Sequence, residues 1–189
     1  MGKPARQLQE HQTMTNILTS SPWGQVLRCT PAADGILRVH AASHGGFKLC
    51  PELQQQMPAF FPETFPGGWY DQESAWAQVV VVFPQFFTPA TVAYAVYTIR
   101  RFLADSAPAL AYVASGLAAD IAKAHDGAHA DHWRTTDVRR PFGQGAGWVV
   151  RFADRATSAV RFLLMPNYPT KADYAPAELQ GLQELPQAA

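Results

Sequence analysis

Charge is scarce in this chain, and cysteine is nearly absent. Only 16% of its 189 residues are Asp, Glu, Lys or Arg, against about 25% in an average soluble domain. Basic and acidic residues balance at 15 each, so the formal net charge is zero. No global field draws such a chain to nucleic acid, and direct nucleic-acid binding is not expected. Cys29 and Cys50 are the only cysteines, too few for a disulfide scaffold. The longest strongly apolar run, Val79 to Phe83, is far short of a membrane span. The segment from Met1 to Gln12 is polar and lacks the apolar centre of a signal peptide. These absences point to a reduced, cytoplasmic protein with no membrane segment. A surface so poor in charge must be rich in Gln, Ser, Thr, Ala and Pro, or be covered in part by a partner. A partner interface, including a homodimer, is the favoured expectation.

What is present is apolar: 48% of the chain. At 20.7 kDa it is long enough to bury a proper core in one domain. Residues 1–20 read as a flexible lead-in, residues 21–168 as a single domain, and residues 169–189 as a tail that wraps or frays. Gln25 to Cys29 and Ile36 to Ala41 read as a hairpin across the Asp34-Gly35 turn. Ser43 to Gly46 turn, and Phe47 to Leu49 extend a third strand. Pro51 opens a short helix. Three prolines and two glycines between positions 58 and 68 mark a loop. Asp71 can cap a helix from about Gln72 to Phe83, whose valines leave a strand open for its second half. Thr88-Pro89 starts another helix, to Leu103 or Ala104. An alanine-rich helix spans Pro108 to Ala124, residues 125–147 read as a polar connector, and Trp148 to Leu164 form a hairpin. The sum is an α+β fold, with an N-terminal β unit and a C-terminal hairpin in an antiparallel sheet packed on a central helical region.

Two polar-aromatic knots are the candidate site. Ser43-His44-Gly45-Gly46 is one, and Gly67-Gly68-Trp69-Tyr70-Asp71-Gln72-Glu73 is the other. Adjacent side chains of an extended segment point apart, so Ser43 and His44 are not a nucleophile–base pair. His44 can instead act with Asp71 or Glu73 as orienting carboxylate and Tyr70 as ligand contact or proton donor. The glycines would let backbone approach a ligand, with Trp69 beside it. The competing expectation is structural: tight turns at both glycine pairs, with His44 and Tyr70 satisfying buried polar groups. Arg139 and Arg140, with Arg134, could form a local basic patch, although solvated arginines near a turn are the plainer expectation. His125, His129 and His132 have spacings that place three imidazoles on one helical face, a metal-like pattern. Gly127 weakens that helix, and no His-Glu-x-x-His supplies a general base, so no metal or other cofactor is expected. Gly143 to Gly147 precede a strand rather than follow one, the wrong order for a phosphate loop.

The stretch Pro22-Trp23-Gly24, Ser43-His44-Gly45-Gly46-Phe47-Lys48-Leu49, Gly68-Trp69-Tyr70 and Trp76-Ala77 resembles a domain family of unknown function, DUF7007, over about residues 20–87. That family occurs in bacterial, plasmid- and phage-associated proteins. The resemblance supplies no catalytic residues. It implies an accessory role on a mobile element: anti-defence, of anti-CRISPR or anti-restriction type, or interference with a host nucleoprotein. Where the family commonly has consecutive acidic residues after Trp-Tyr, this chain has Asp71, Gln72 and Glu73.

Two functions follow as expectations. One is a non-enzymatic interaction protein that occludes a host or defence-system protein; neutral charge suits a protein-directed inhibitor better than a DNA mimic. The other is a small hydrolase or group-transfer enzyme using His44 with Asp71 or Glu73 and Tyr70.

Overall fold

The computed structural model describes residues 18–139, 147–154, 159–167 and 173–185. The expected lead-in lies outside the described residues as far as residue 17, as do most of the glycine run at 143–147 and the turn after Asp154.

Chain order begins with an antiparallel sheet of five strands: β1 (Ser20–Ser21), β2 (Gly24–Ala33), β3 (Ile36–Ala41), β4 (Gly45–Leu49) and β5 (Trp69–Asp71). Each strand pairs with the next. The β2–β3 hairpin turns at Asp34-Gly35 as expected, with Gly35 at φ +75°. Alternation along β3 puts Ile36 in the main core and Leu37 and Val39 on the opposite face.

Among the described residues α1 (Pro51–Gln54) lies between β4 and β5, and α2 (Trp76–Val82), α3 (Pro89–Phe102), α4 (Ala107–Tyr112) and α5 (Gly116–Ala128) follow the sheet. The valine run of α2 is helical throughout, and Val79, Val80 and Val81 are all buried. Burying such a side chain contributes roughly 1.5–3 kcal/mol relative to leaving it in water. Thr88 caps α3, its hydroxyl accepting from the Thr91 amide at 3.3 Å, with Pro89 in the first position. The alanine-rich segment is two helices rather than one: the chain breaks at Val113 to Ser115, and Gly116 restarts it at φ +78°. Helix α3 packs on α2 and α5. Ile36, Phe47, Leu49 and Tyr70 from the sheet meet Val79, Val92, Val96 and Ile99 from these helices in the main core.

A second antiparallel sheet has the order β10-β8-β7-β6-β9. Its strands are β6 (Trp133–Arg139), β7 (Trp148–Asp154), β8 (Val160–Met165), β9 (Asp173–Tyr174) and β10 (Gln183–Leu185). It has its own core of Val150, Phe152, Leu163, Tyr174 and Leu179. The α+β class stands, and helices lie between the two β units in the chain. The strands, however, divide between two sheets rather than joining one. The region read as a polar connector contains β6, and part of the tail supplies both edge strands of the second sheet.

Candidate functional site

The first knot is built by packing. Ala41 donates its amide to the His44 carbonyl at 2.8 Å, so the turn spans Ala42 to His44, and Gly45 and Gly46 already belong to β4. The Trp23 indole lies against this strand, edge-on to Trp69 at 5.5 Å and stacked on His44 at 6.5 Å. A Cβ on Gly46 would stand 2.6 Å from Trp23 Cη2 and collide with the Tyr70 carbonyl. The absence of a side chain at Gly46 therefore admits a tryptophan and a neighbouring strand, and Gly46 also lines a groove with Phe47 and Glu73. Trp69 closes this small second cluster with Leu37 and Val39. Gly67 and Gly68 do form a turn, at φ +92° and +86°. Lys48 pins it by donating to the Gly67 carbonyl and lies 5.4 Å over the Trp69 ring. Burial pulls the Lys48 ammonium down, an effect that nearby Glu63 opposes.

The second knot separates the three expected catalytic groups. Tyr70 is fully buried in the main core, and its hydroxyl donates to Gln54 Oε1 at 3.1 Å. Burial raises its pKa. It is a core residue whose hydroxyl satisfies a buried polar group, the structural alternative of the two expectations. Asp71 is a cap. Its Oδ1 accepts from the amides of Glu73, Ser74 and Ala75 at 2.9–3.2 Å, and its Oδ2 accepts from the Thr64 hydroxyl at 3.0 Å. Burial pushes the Asp71 carboxyl up, but the hydrogen bonds from Ser74, Ala75, Thr64 and Glu73 outweigh it and hold the group below the ordinary carboxylate range. The turn that these bonds fix delivers Glu73 to His44, with Nε2 to Oε1 at 3.2 Å. The pair is open to solvent, with side chains 36% and 71% exposed. Ser43 is exposed in the turn and has no hydrogen bond to His44 among the described residues.

Glu73 also lines a groove of about 780 Å³. On one side stand Arg38 and His40 of β3 and Phe47 of β4. On the other stand Trp76 of α2 with Tyr94 and Phe102 of α3. Trp76 and Tyr94 lie 5.6 Å apart, the Arg38 guanidinium lies 5.4 Å over the Phe47 ring, and Phe102 is 59% exposed. Thr98, also in the lining, satisfies its hydroxyl on the Tyr94 carbonyl at 2.9 Å. Thr136 of β6 contributes from the second sheet. No sequence motif marks this groove, because its residues come from four distant segments. One signal was legible: Arg38 and His40 alternate with Leu37 and Val39, so both occupy one strand face.

The histidine series is not one helical face. His125 is in α5, His129 follows its end, and His132 lies beyond the helix. Their rings pack on each other, stacked at 4.1 Å and edge-on at 4.9 Å. His129 Nδ1 contacts the His125 carbonyl, and His132 Nδ1 contacts Asp131 Oδ1, each at 2.8 Å. Among the described residues no group of three or more His, Cys, Asp or Glu side chains is arranged to hold a metal. Arg134 is not part of an exposed basic patch. Its Nη2 contacts Asp126 Oδ1 at 2.6 Å, and its guanidinium lies 5.1 Å over Tyr97. Arg139 ends β6; its side chain and all of Arg140 lie outside the described residues. Among those residues no helix is long and apolar enough to cross a membrane.

The molecule is thus an α+β protein with an open groove between a sheet and its covering helices. The model of a domain family of unknown function, DUF7007, matches residues 16–132, and the chain belongs to that family. No curated protein and no solved structure matches the chain. The match extends past the expected boundary at residue 87 and stops one residue before β6.

Proposed function

We propose that the chain is a non-enzymatic interaction protein that engages a protein partner through the groove beside Phe102. One observation carries this reading: the sheet–helix interface stays open, with an exposed phenylalanine and two basic side chains along an aromatic cleft. Aromatic and arginine side chains are the groups that anchor interfaces. The partner class to test first is a host defence complex, following the mobile-element setting that the early resemblance implies. A cytoplasmic site of action, supported by two unpaired cysteines, and a homodimer, supported by the low charge, are parts of the same proposal. The test is affinity capture from a bacterial host lysate with wild type and Phe102→Glu, both shown to be folded. A stoichiometric partner held by wild type and lost by the variant upholds the reading. A partner held equally by both moves the interface elsewhere, and no partner sinks it.

The contact between His44 and Glu73 favours a second reading, a small hydrolase or group-transfer enzyme. A carboxylate 3.2 Å from an imidazole nitrogen can orient it as a general base. Against it, Tyr70 is buried and the Asp71 carboxylate is committed to the amides of its turn. Screening ester, amide and phosphate substrates with wild type and His44→Ala decides it. Turnover that His44→Ala abolishes would establish the enzyme.

A further inference from the structure

The face of β3 that enters the main core changes character along its length. Ile36 is buried against the helices, whereas Arg38 and His40, on the same face, are exposed in the groove. Arg38 lies over Phe47 and has no carboxylate partner among the described residues. The His40 side chain has no hydrogen-bond or ion-pair partner among them either. Glu73, the only acid in the lining among the described residues, has an oxygen 3.2 Å from His44. A guanidinium laid on an aromatic ring keeps its planar fork free to bind a carboxylate with two hydrogen bonds. The far side of the groove offers Trp76, Tyr94 and the exposed Phe102. A purely apolar occupant would take water from Arg38 and return nothing, and a basic one would be repelled by it.

We infer that the groove binds a segment of a partner protein in which an aromatic side chain neighbours a carboxylate. The carboxylate pairs with Arg38, beside His40, and the aromatic ring packs on Phe102 and Tyr94. This rests on the interaction-protein reading and adds to it the chemistry of the partner.

The test is selection of displayed random peptides on the immobilised full-length protein, followed by calorimetry. Each enriched peptide is measured in its acid form and with the carboxylate replaced by the amide. Enrichment of Phe, Tyr or Trp next to Asp or Glu is expected. The amide form should bind wild type about tenfold more weakly, the scale of one charge-assisted hydrogen-bonded pair. Arg38→Gln should bind both forms alike, at the weaker level, and Phe102→Ala should weaken both. Both positions are exposed, and an unchanged unfolding midpoint confirms that each variant is folded. Enrichment of basic or uncharged peptides overturns the inferred chemistry but leaves the interaction reading in place. Binding unaffected by either substitution, or no enrichment, also overturns the inference. In either case, lysate capture that depends on Phe102 would still uphold the interaction reading.

Discussion

Trp23 occupies the space that a side chain on Gly46 would need. A Cβ there would lie 2.6 Å from the indole and against the β5 backbone at Tyr70. Gly46→Ala must displace either the ring or a paired strand. Overpacking of this kind costs about 1–3 kcal/mol, so a lower midpoint in denaturant unfolding is expected. An unchanged midpoint would show that the strand yields freely.

Asp71 ties three consecutive amides to one carboxylate oxygen. Asp71→Ala should cost about 1.5–3 kcal/mol, the range for hydrogen bonds to a charged group, and should loosen the turn that carries Glu73. The folded-state pKa is depressed, so the unfolded chain takes up the proton first. The stabilisation is complete above the unfolded value of about 3.9 and is lost as the pH falls through the folded value. Acid unfolding of wild type should therefore steepen below about pH 4, and Asp71→Asn should flatten that limb. Circular dichroism across an acid titration checks both.

The His44–Glu73 contact lies in solvent, so it should do little for the fold. Exposed ion pairs contribute at most about 1 kcal/mol. His44→Ala and Glu73→Gln should melt close to wild type. A large loss in either would mean that Trp23, stacked on His44, transmits the change to the cluster around Trp69.

Phe102 offers the opposite separation. With most of its ring in water, Phe102→Ala should leave stability within about 0.5 kcal/mol. Partner binding should nevertheless weaken. Thermal melting and calorimetry on one preparation measure both.

Local chemistry made the first half of the fold legible. Asp34-Gly35 fixed a hairpin and Thr88-Pro89 a helix start, each through contacts within a few residues, whereas Asp71 ties a turn and α2 starts only at Trp76. The polar sequence of β6, Trp-Arg-Thr-Thr-Asp-Val-Arg, has no clean apolar alternation. It is a strand because β7 and β9 flank it, and only tertiary pairing reveals that. The same limit applied to the site. The proximity of His44 and Glu73 followed from two neighbouring knots, whereas Arg38 and Phe102 come to line one groove only once α3 has docked on the sheet. Tyr70 misled because Trp-Tyr-Asp reads as a polar corner, while strand alternation turns its ring into the core.

The family match stops just before β6, and the sheet beyond it is bordered by two very short strands, β9 and β10. Those strands cap the hydrogen-bonding edges of β6 and β8. A chain cut before Asp173 would keep the matched domain whole but leave two bare β edges at once, each a template for pairing with another molecule. The same cut would strip Tyr174 and Leu179 from the second core, so exposed edges and an opened core would arise together, away from the helices.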